Sequence, residues 1–319
     1  MRKGTALVVG ATGITGGNLA SYLTASGWSV YGLSRRPSDQ AGVIPVAADL
    51  LDREATAEAL AGLPITHVFY CTWVRRENEK ANVEANGAMM HNLLDALQGA
   101  SLAHVSLVTG TKQYLGAFEN YGSGKTETPF RESAPRVPGE NFYYTLEDIM
   151  FATADRDGFS WNVHRPHTVI GYARGNAMNM GVTLAVYASI CKATGKPFTF
   201  PGSQVQWNAL TDLTDSLVLA RQMEWAATTP GAHNEAFNTV NGDVFRWRRL
   251  WHEIGEFFEL EVADCPETPQ PLETQMADIA PTWAEIVENN ELVEADVSKL
   301  ASWWHTDADL GRELECVND

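Results

Sequence analysis

Residues 6–23 read Ala6-Leu7-Val8-Val9, then Gly10-Ala11-Thr12-Gly13-Ile14-Thr15-Gly16-Gly17, then Asn18-Leu19-Ala20-Ser21-Tyr22-Leu23. An apolar run, a glycine cluster and a helix-period pattern in direct succession predict a strand, a tight turn and a helix, the opening of a dinucleotide-binding unit. Each glycine has its own task. Gly10 permits the turn, Gly13 lets backbone amides approach a pyrophosphate, and Gly16 lets the helix lie close on the strand. The helix N-terminus offers unpaired N–H groups to the phosphates, and Thr12 and Ile14, on either side of Gly13, complete the expected contact set.

Further strands follow at the spacing of alternating strands and helices. Residues 28–33, 43–47, 67–70, 105–108, 161–166 and 235–240 read as short strands, separated by helix-period stretches such as 84–98, whose stripe is Met89, Leu93, Leu94 and Leu97. This pattern predicts an α/β fold with a doubly wound parallel sheet of the Rossmann type. The second half supplies a smaller, mainly helical region: helices are expected at 178–194, 211–227, 248–259, 282–288 and 296–304, with a short strand and turn at 198–202. The expected organisation is a nucleotide-binding domain at 1–165, to which 207–240 returns, and a substrate-binding region at 166–206 and 241–319.

The second strand ends in Ser34-Arg35-Arg36-Pro37. An acid at this point suits the ribose 2′-hydroxyl of NAD, whereas arginines suit a 2′-phosphate, so the expected cofactor is NADP(H). Asp49 and Leu50, after the third strand, are candidates for the adenine side. Cys71, Thr72 and Thr109 lie at strand ends facing the crevice, as does Trp73, a candidate pocket wall. Lys112 follows the fifth strand and points toward the place of the nicotinamide. A helix beginning at Asn141-Phe142-Tyr143-Tyr144 would carry Tyr-x-x-x-Lys in ordinary short-chain reductases. Here the positions four residues on hold Glu147 and Asp148. The literal match at Tyr121-Gly122-Ser123-Gly124-Lys125 has two glycines in one turn and reads as chance.

Bulk properties narrow the partners. Against 23 Lys and Arg stand 40 Asp and Glu, a net charge of -17 that disfavours nucleic acid and anionic membranes. The four cysteines fit no zinc spacing, so no metal is expected, and a reduced cytoplasmic protein is the plain reading. No stretch approaches the roughly 20 apolar residues of a membrane span.

Taken together, these blocks resemble the progesterone 5β-reductase/iridoid synthase-like family, an atypical branch of the extended short-chain dehydrogenases/reductases. The resemblance rests on Gly10-Ala11-Thr12-Gly13-Ile14-Thr15-Gly16, Ser34-Arg35-Arg36-Pro37, Val68-Phe69-Tyr70-Cys71-Thr72-Trp73, Glu84-Ala85-Asn86-Gly87, Thr109-Gly110-Thr111-Lys112-Gln113-Tyr114-Leu115-Gly116, Asn141-Phe142-Tyr143-Tyr144-Thr145-Leu146-Glu147-Asp148 and Asn234-Glu235-Ala236-Phe237-Asn238. It implies NADPH-dependent 1,4-reduction of an activated C=C bond, with Lys112 and Tyr144 catalytic; the residues alone do not choose between Tyr144 and Tyr143. Trp73, Phe118, Tyr143, His167 and Met178 are the expected substrate pocket. A small hydrophobic enone is the expected partner, and a homodimer is admitted. The family has Pro where Ala117 stands, His at Gln113 and Asn at His167, and continues past Asp319 into a segment that covers the pocket. Two other readings compete: a sugar-nucleotide epimerase or dehydratase, which usually needs Tyr-x-x-x-Lys, and a non-catalytic NADP-binding sensor.

Overall fold

The apolar runs of the first half pair side by side in a computed structural model that describes residues 3–118, 127–173, 175 and 178–319. The chain runs through β1 (Thr5–Val9), α1 (Ile14–Ala25), β2 (Ser29–Ser34), β3 (Val43–Ala47), α2 (Arg53–Leu60), β4 (His67–Tyr70), α3 (Glu79–Ala96), β5 (His104–Val108), α4 (Lys112–Leu115), α5 (Phe142–Asp157) and β6 (Ser160–Pro166). Then come β7 (Val169–Ile170), α6 (Met180–Thr194), α7 (Gln204–Asn208), β8 (Thr214–Asp215), α8 (Ser216–Thr228), β9 (Glu235–Thr239), α9 (Trp247–Phe258), α10 (Leu272–Gln275), α11 (Ala280–Asn289) and α12 (Trp303–Leu310).

Among the described residues, seven strands form a parallel sheet in the order β3-β2-β1-β4-β5-β6-β9. The winding reverses between β1 and β4. In such sheets the crevice at the carboxyl ends of these two strands is where a ligand binds. Strands buried on both faces read as continuous apolar runs, which is why Ala6-Leu7-Val8-Val9 is fully buried.

The chain divides into two compact units. One comprises Met1–Tyr121, Arg131–His167 and Thr214–Asn241; the other comprises Gly122–Phe130, Thr168–Leu213 and Gly242–Asp319. The first has its core between the sheet and the helices, with Val68, Val105 and Val163 packed under Leu93, Leu146 and Met150. On its other face, Glu224 of α8 accepts hydrogen bonds from Lys3, Tyr22 and Trp28, each at 2.8 Å. The second unit is built on aromatic packing: Phe198 stacks on Trp251 with centroids 4.1 Å apart, and Tyr187 and Leu272 join the same core.

Three elements differ from expectation. Residues 198–202 form no strand, only a single bridge between Phe198 and Val262, because Pro201 and Gly202 stop the ladder. The helix expected from 211 starts at Ser216: Asp215 accepts from the amides of Leu217 and Val218, whereas Asp212 is buried and accepts from the Asn318 amide. The helix expected at 296–304 splits into a short turn at Val297–Lys299 and α12; Trp303 packs on the second core, while Trp304 is exposed. The chance match at residues 121–125 lies outside the described residues. Among the described residues no helix is long and apolar enough to cross a membrane, and no cluster of side chains could hold a metal ion.

Candidate active site

The first turn folds as its glycines dictate. Gly10 has φ +83°, a left-handed conformation open to glycine at no steric cost, and a Cβ there would meet the Cys71 carbonyl oxygen at 2.8 Å. A Cβ on Gly16 would run into the carbonyl oxygen of Gly10, so α1 can approach β1 this closely only without a side chain. Gly13 is the N-cap of α1, and among the described residues no side chain caps that end. The amides of the first turn are therefore left for an incoming anion.

A cavity of about 930 Å³ opens at this turn within the first unit. Of the expected nucleotide residues, Gly10, Thr12, Ser34, Arg35, Arg36, Asp49, Leu50 and Thr72 line it, together with Trp73 and Arg76. Gly13, Ile14, Gly16, Cys71 and Thr109 are not among its lining residues; Gly16 and Cys71 instead set the backbone around Gly10, and the Thr109 amide donates to the His164 carbonyl. The Ser34 hydroxyl is buried and, among the described residues, has no hydrogen-bond partner. An orphaned hydroxyl, a side-chain-free helix start and two exposed arginines at one cleft fit a dinucleotide with a charged ribose end.

The loop between β4 and α3 is held by asparagines. Asn86 exchanges two hydrogen bonds of 2.8 Å with the backbone of Val74, and Asn82 accepts from the Arg76 amide at 2.7 Å. That fixes Trp73, which stacks on Phe142 at 5.5 Å and faces Phe118 at 6.0 Å.

Lys112 is nearly fully buried. Its ammonium pairs with Glu79 at 3.0 Å, donates to the Gly116 carbonyl at 2.9 Å, and lies 4.5 Å from the Phe118 ring centre and 5.6 Å from that of Phe142. Glu79 also accepts from the Phe142 amide at 2.8 Å, at the first turn of α5.

The two tyrosines of that turn have different surroundings. The Tyr144 hydroxyl donates to the Gln113 carbonyl at 2.7 Å and accepts from the Val137 amide at 3.0 Å, while Arg136 covers its ring. Its proton is already committed to the backbone, so this arrangement does not favour the donor role that the resemblance implies for Tyr144. Tyr143 leaves the helix in a different direction. Its hydroxyl would be 3.4 Å from a Cβ on Gly110, where the Pro166 carbonyl also converges, at the carboxyl ends of β5 and β6. Burial, and after it the charge of Glu79, raises the Tyr143 phenol above its ordinary value, so it remains a protonated donor. Glu147 and Asp148 are engaged by arginines, although the charge of Glu147, after burial, still helps to raise the Tyr144 phenol. Both pair with Arg136, at 2.7 and 2.8 Å, and Glu147 also meets Arg165 at 3.5 Å.

His167 is buried in the first unit, its amide donating to Thr214; Met178 is partly buried in the second unit.

Residues 6–239 match the family described as NAD dependent epimerase/dehydratase. The chain belongs to this family. Within the wider set of known proteins, it is 40% identical to an (S)-8-oxocitronellyl enol synthase of Nepeta cataria, over 99% of this chain and 86% of that protein. It is likewise 40% identical to a 3-oxo-Delta(4,5)-steroid 5-beta-reductase of Arabidopsis thaliana, over 98% of this chain and 84% of that one. Among solved structures, UDP-glucose 4-epimerase of Thermus thermophilus in complex with NAD superposes with a TM-score of 0.63 at 18% identity, covering 95% of this chain and 98% of that one. UDP-glucose 4-epimerase of Thermotoga maritima gives 0.64 at 15%, over 82% and 86%. At such identities the likeness is one of fold, the parallel sheet of the epimerase/dehydratase family.

Sequence reasoning missed Glu79, Arg76 and Arg136. Glu79 follows the capping Asn78 as an acid in the first turn of α3, a common arrangement that carries no mark of a buried ion pair.

Proposed function

We propose that the chain is an NADPH-dependent reductase of the C=C bond of α,β-unsaturated carbonyl compounds. The observation that carries this reading is a set of groups near the carboxyl ends of β4, β5 and β6: the buried Lys112 ammonium at the Phe118 and Phe142 rings, Trp73 stacked on Phe142, and a Tyr143 hydroxyl beside Gly110 that makes no hydrogen bond among the described residues. Full-length relatives at 40% identity, an enol synthase and a steroid 5-beta-reductase, support it.

The chemistry that a bound NADPH supplies is a hydride for the β-carbon of the enone. As that carbon gains it, electron density passes to the carbonyl oxygen, and the protein's task is to hydrogen-bond the developing enolate. Tyr143, rather than Tyr144, is the phenol assigned to that oxygen, because among the described residues its hydroxyl proton is not taken up by the backbone. Lys112 adds positive charge at one edge of the same aromatic slot. Trp73, Phe118 and Phe142 exclude water and suit a flat, apolar substrate. His167 is assigned to a further substrate contact.

The preference for NADPH rests on Arg35 and Arg36 at the cleft, where β2 ends in Ser34 rather than an acid; Arg76 lines the same cavity. Arg35→Ala with Arg36→Ala should weaken NADPH binding at least tenfold and leave NADH within about threefold. The sugar-nucleotide reading is disfavoured by the acids at 147 and 148, engaged with arginines where a lysine is needed. The deciding assay follows NADPH consumption with a steroid enone and with an acyclic monoterpenoid dialdehyde. Turnover of either supports the assignment; conversion of a UDP-sugar with no enone turnover overturns it.

A further inference from the structure

Glu79 is buried together with Lys112, and it touches both halves of the site. One side of its carboxylate pairs with the Lys112 ammonium at 3.0 Å, and the other accepts the Phe142 amide at 2.8 Å, one residue before Tyr143. Asn141, the N-cap of α5, completes the link by donating to the Lys112 carbonyl at 3.0 Å. Thus α3, α4 and the first turn of α5 are joined through one acid. In reductases with a lysine one helical turn after the tyrosine, an unopposed ammonium favours the ionised phenol. Here the ammonium has a carboxylate against it.

We propose that Glu79 is a positioning residue that opposes the charge of Lys112 and pins the helix turn carrying Tyr143, so that the phenol is presented as a hydrogen-bond donor and not as a phenolate. The inference rests on the enone-reductase reading and deepens it, since an enolate oxygen needs a donor whereas alcohol oxidation needs a base. The groups around the phenol agree. Burial and the Glu79 charge both disfavour its ionised form. From α4, Lys112 lies against Glu79; on α5 itself, Glu147 and Asp148 turn toward Arg136, and Glu147 also toward Arg165 on β6.

The test is an ultraviolet difference titration of tyrosine ionisation in the full chain, with the Tyr143→Phe trace subtracted to isolate this phenol. In the unaltered protein the isolated phenol should stay protonated above the usual value of about 10. Glu79→Gln keeps the acceptor for the Phe142 amide and removes the charge. Its Tyr143 midpoint should fall by at least one pH unit, and enone turnover should gain an alkaline limb that the unaltered protein lacks. The double variant Glu79→Gln, Lys112→Met removes both buried charges together, which guards against a folding failure, and should return the midpoint to above the ordinary value. A midpoint unmoved by Glu79→Gln, or one still near the ordinary value in the double variant, overturns the proposal. The titration needs no turnover, so an absence of enone reduction would count against the enzyme assignment alone.

Discussion

Adjacent residues on a helix point about 100° apart, and the Tyr143 and Tyr144 hydroxyls accordingly reach different surroundings, beside Gly110 and at the Gln113 carbonyl. Tyr143→Phe should lower enone turnover about 100- to 1,000-fold, the usual cost of one lost donor at a developing oxyanion, with NADPH binding retained. Tyr144→Phe should cost less than tenfold in turnover. It strands the Val137 amide and the Gln113 carbonyl, and the denaturant midpoint should reveal a loss of about 1–3 kcal/mol. Equal turnover defects in the two variants would overturn the assignment. The order Phe-Tyr-Tyr marks the turn but not which ring looks inward, because that depends on how α5 is rotated against β5. Lys112 is legible from its place after a central strand. Its partner Glu79 is distant in the chain, and only the packing of α3 against α5 brings them together.

Central strands of the first unit such as β1 are legible because burial on both faces leaves them apolar, and the turn after β1 is legible because only glycine fits at Gly10 and Gly16. Gly16→Ala drives a methyl into the Gly10 carbonyl; α1 must move, and nucleotide affinity should fall at least tenfold, as read by fluorescence titration of NADPH. The elements that composition obscures are those ended by distant partners, such as α8, where the buried Asp212 competes with Asp215 as the apparent cap. At the opening ends of β4 and β5, burial holds the imidazoles of His67 and His104 down to about 4 and about 3, helped by the charge of His233; within β6, burial holds His164 to about 3. All three are neutral in the fold. Above the unfolded value of about 6.5 they cost nothing; as pH falls below it, the unfolded chain binds protons that the fold refuses, and stability drops by up to about 1.4 kcal/mol per pH unit for each. Chemical denaturation between about pH 6.5 and 5 should show this decline, with a shallower slope in His104→Asn.

At the scale of the molecule, two cores are interleaved along one chain, and each forms within its own unit. The nucleotide cleft lies wholly in the first. NADPH at about 100 times its dissociation constant should add about 2.7 kcal/mol to the stability of the folded protein, and NADH at the same concentration clearly less, as a thermal-shift comparison would read. Equal shifts would remove the role given to Arg35 and Arg36. The interleaving is legible from a strand pattern at 235–240 long after the other strands, since a lone strand must find a sheet. Its consequence reaches into biosynthesis. Strand β9 covers the outer edge of β6, yet residues 167–234 leave the ribosome in between. At about 5–20 residues per second, the nascent polypeptide holds an unprotected ladder of amides and carbonyls for roughly 3–14 s. Such a bare edge invites pairing with a neighbouring copy. Slower initiation or a chaperone that shields the growing polypeptide therefore favours soluble yield, whatever the stability of the finished enzyme.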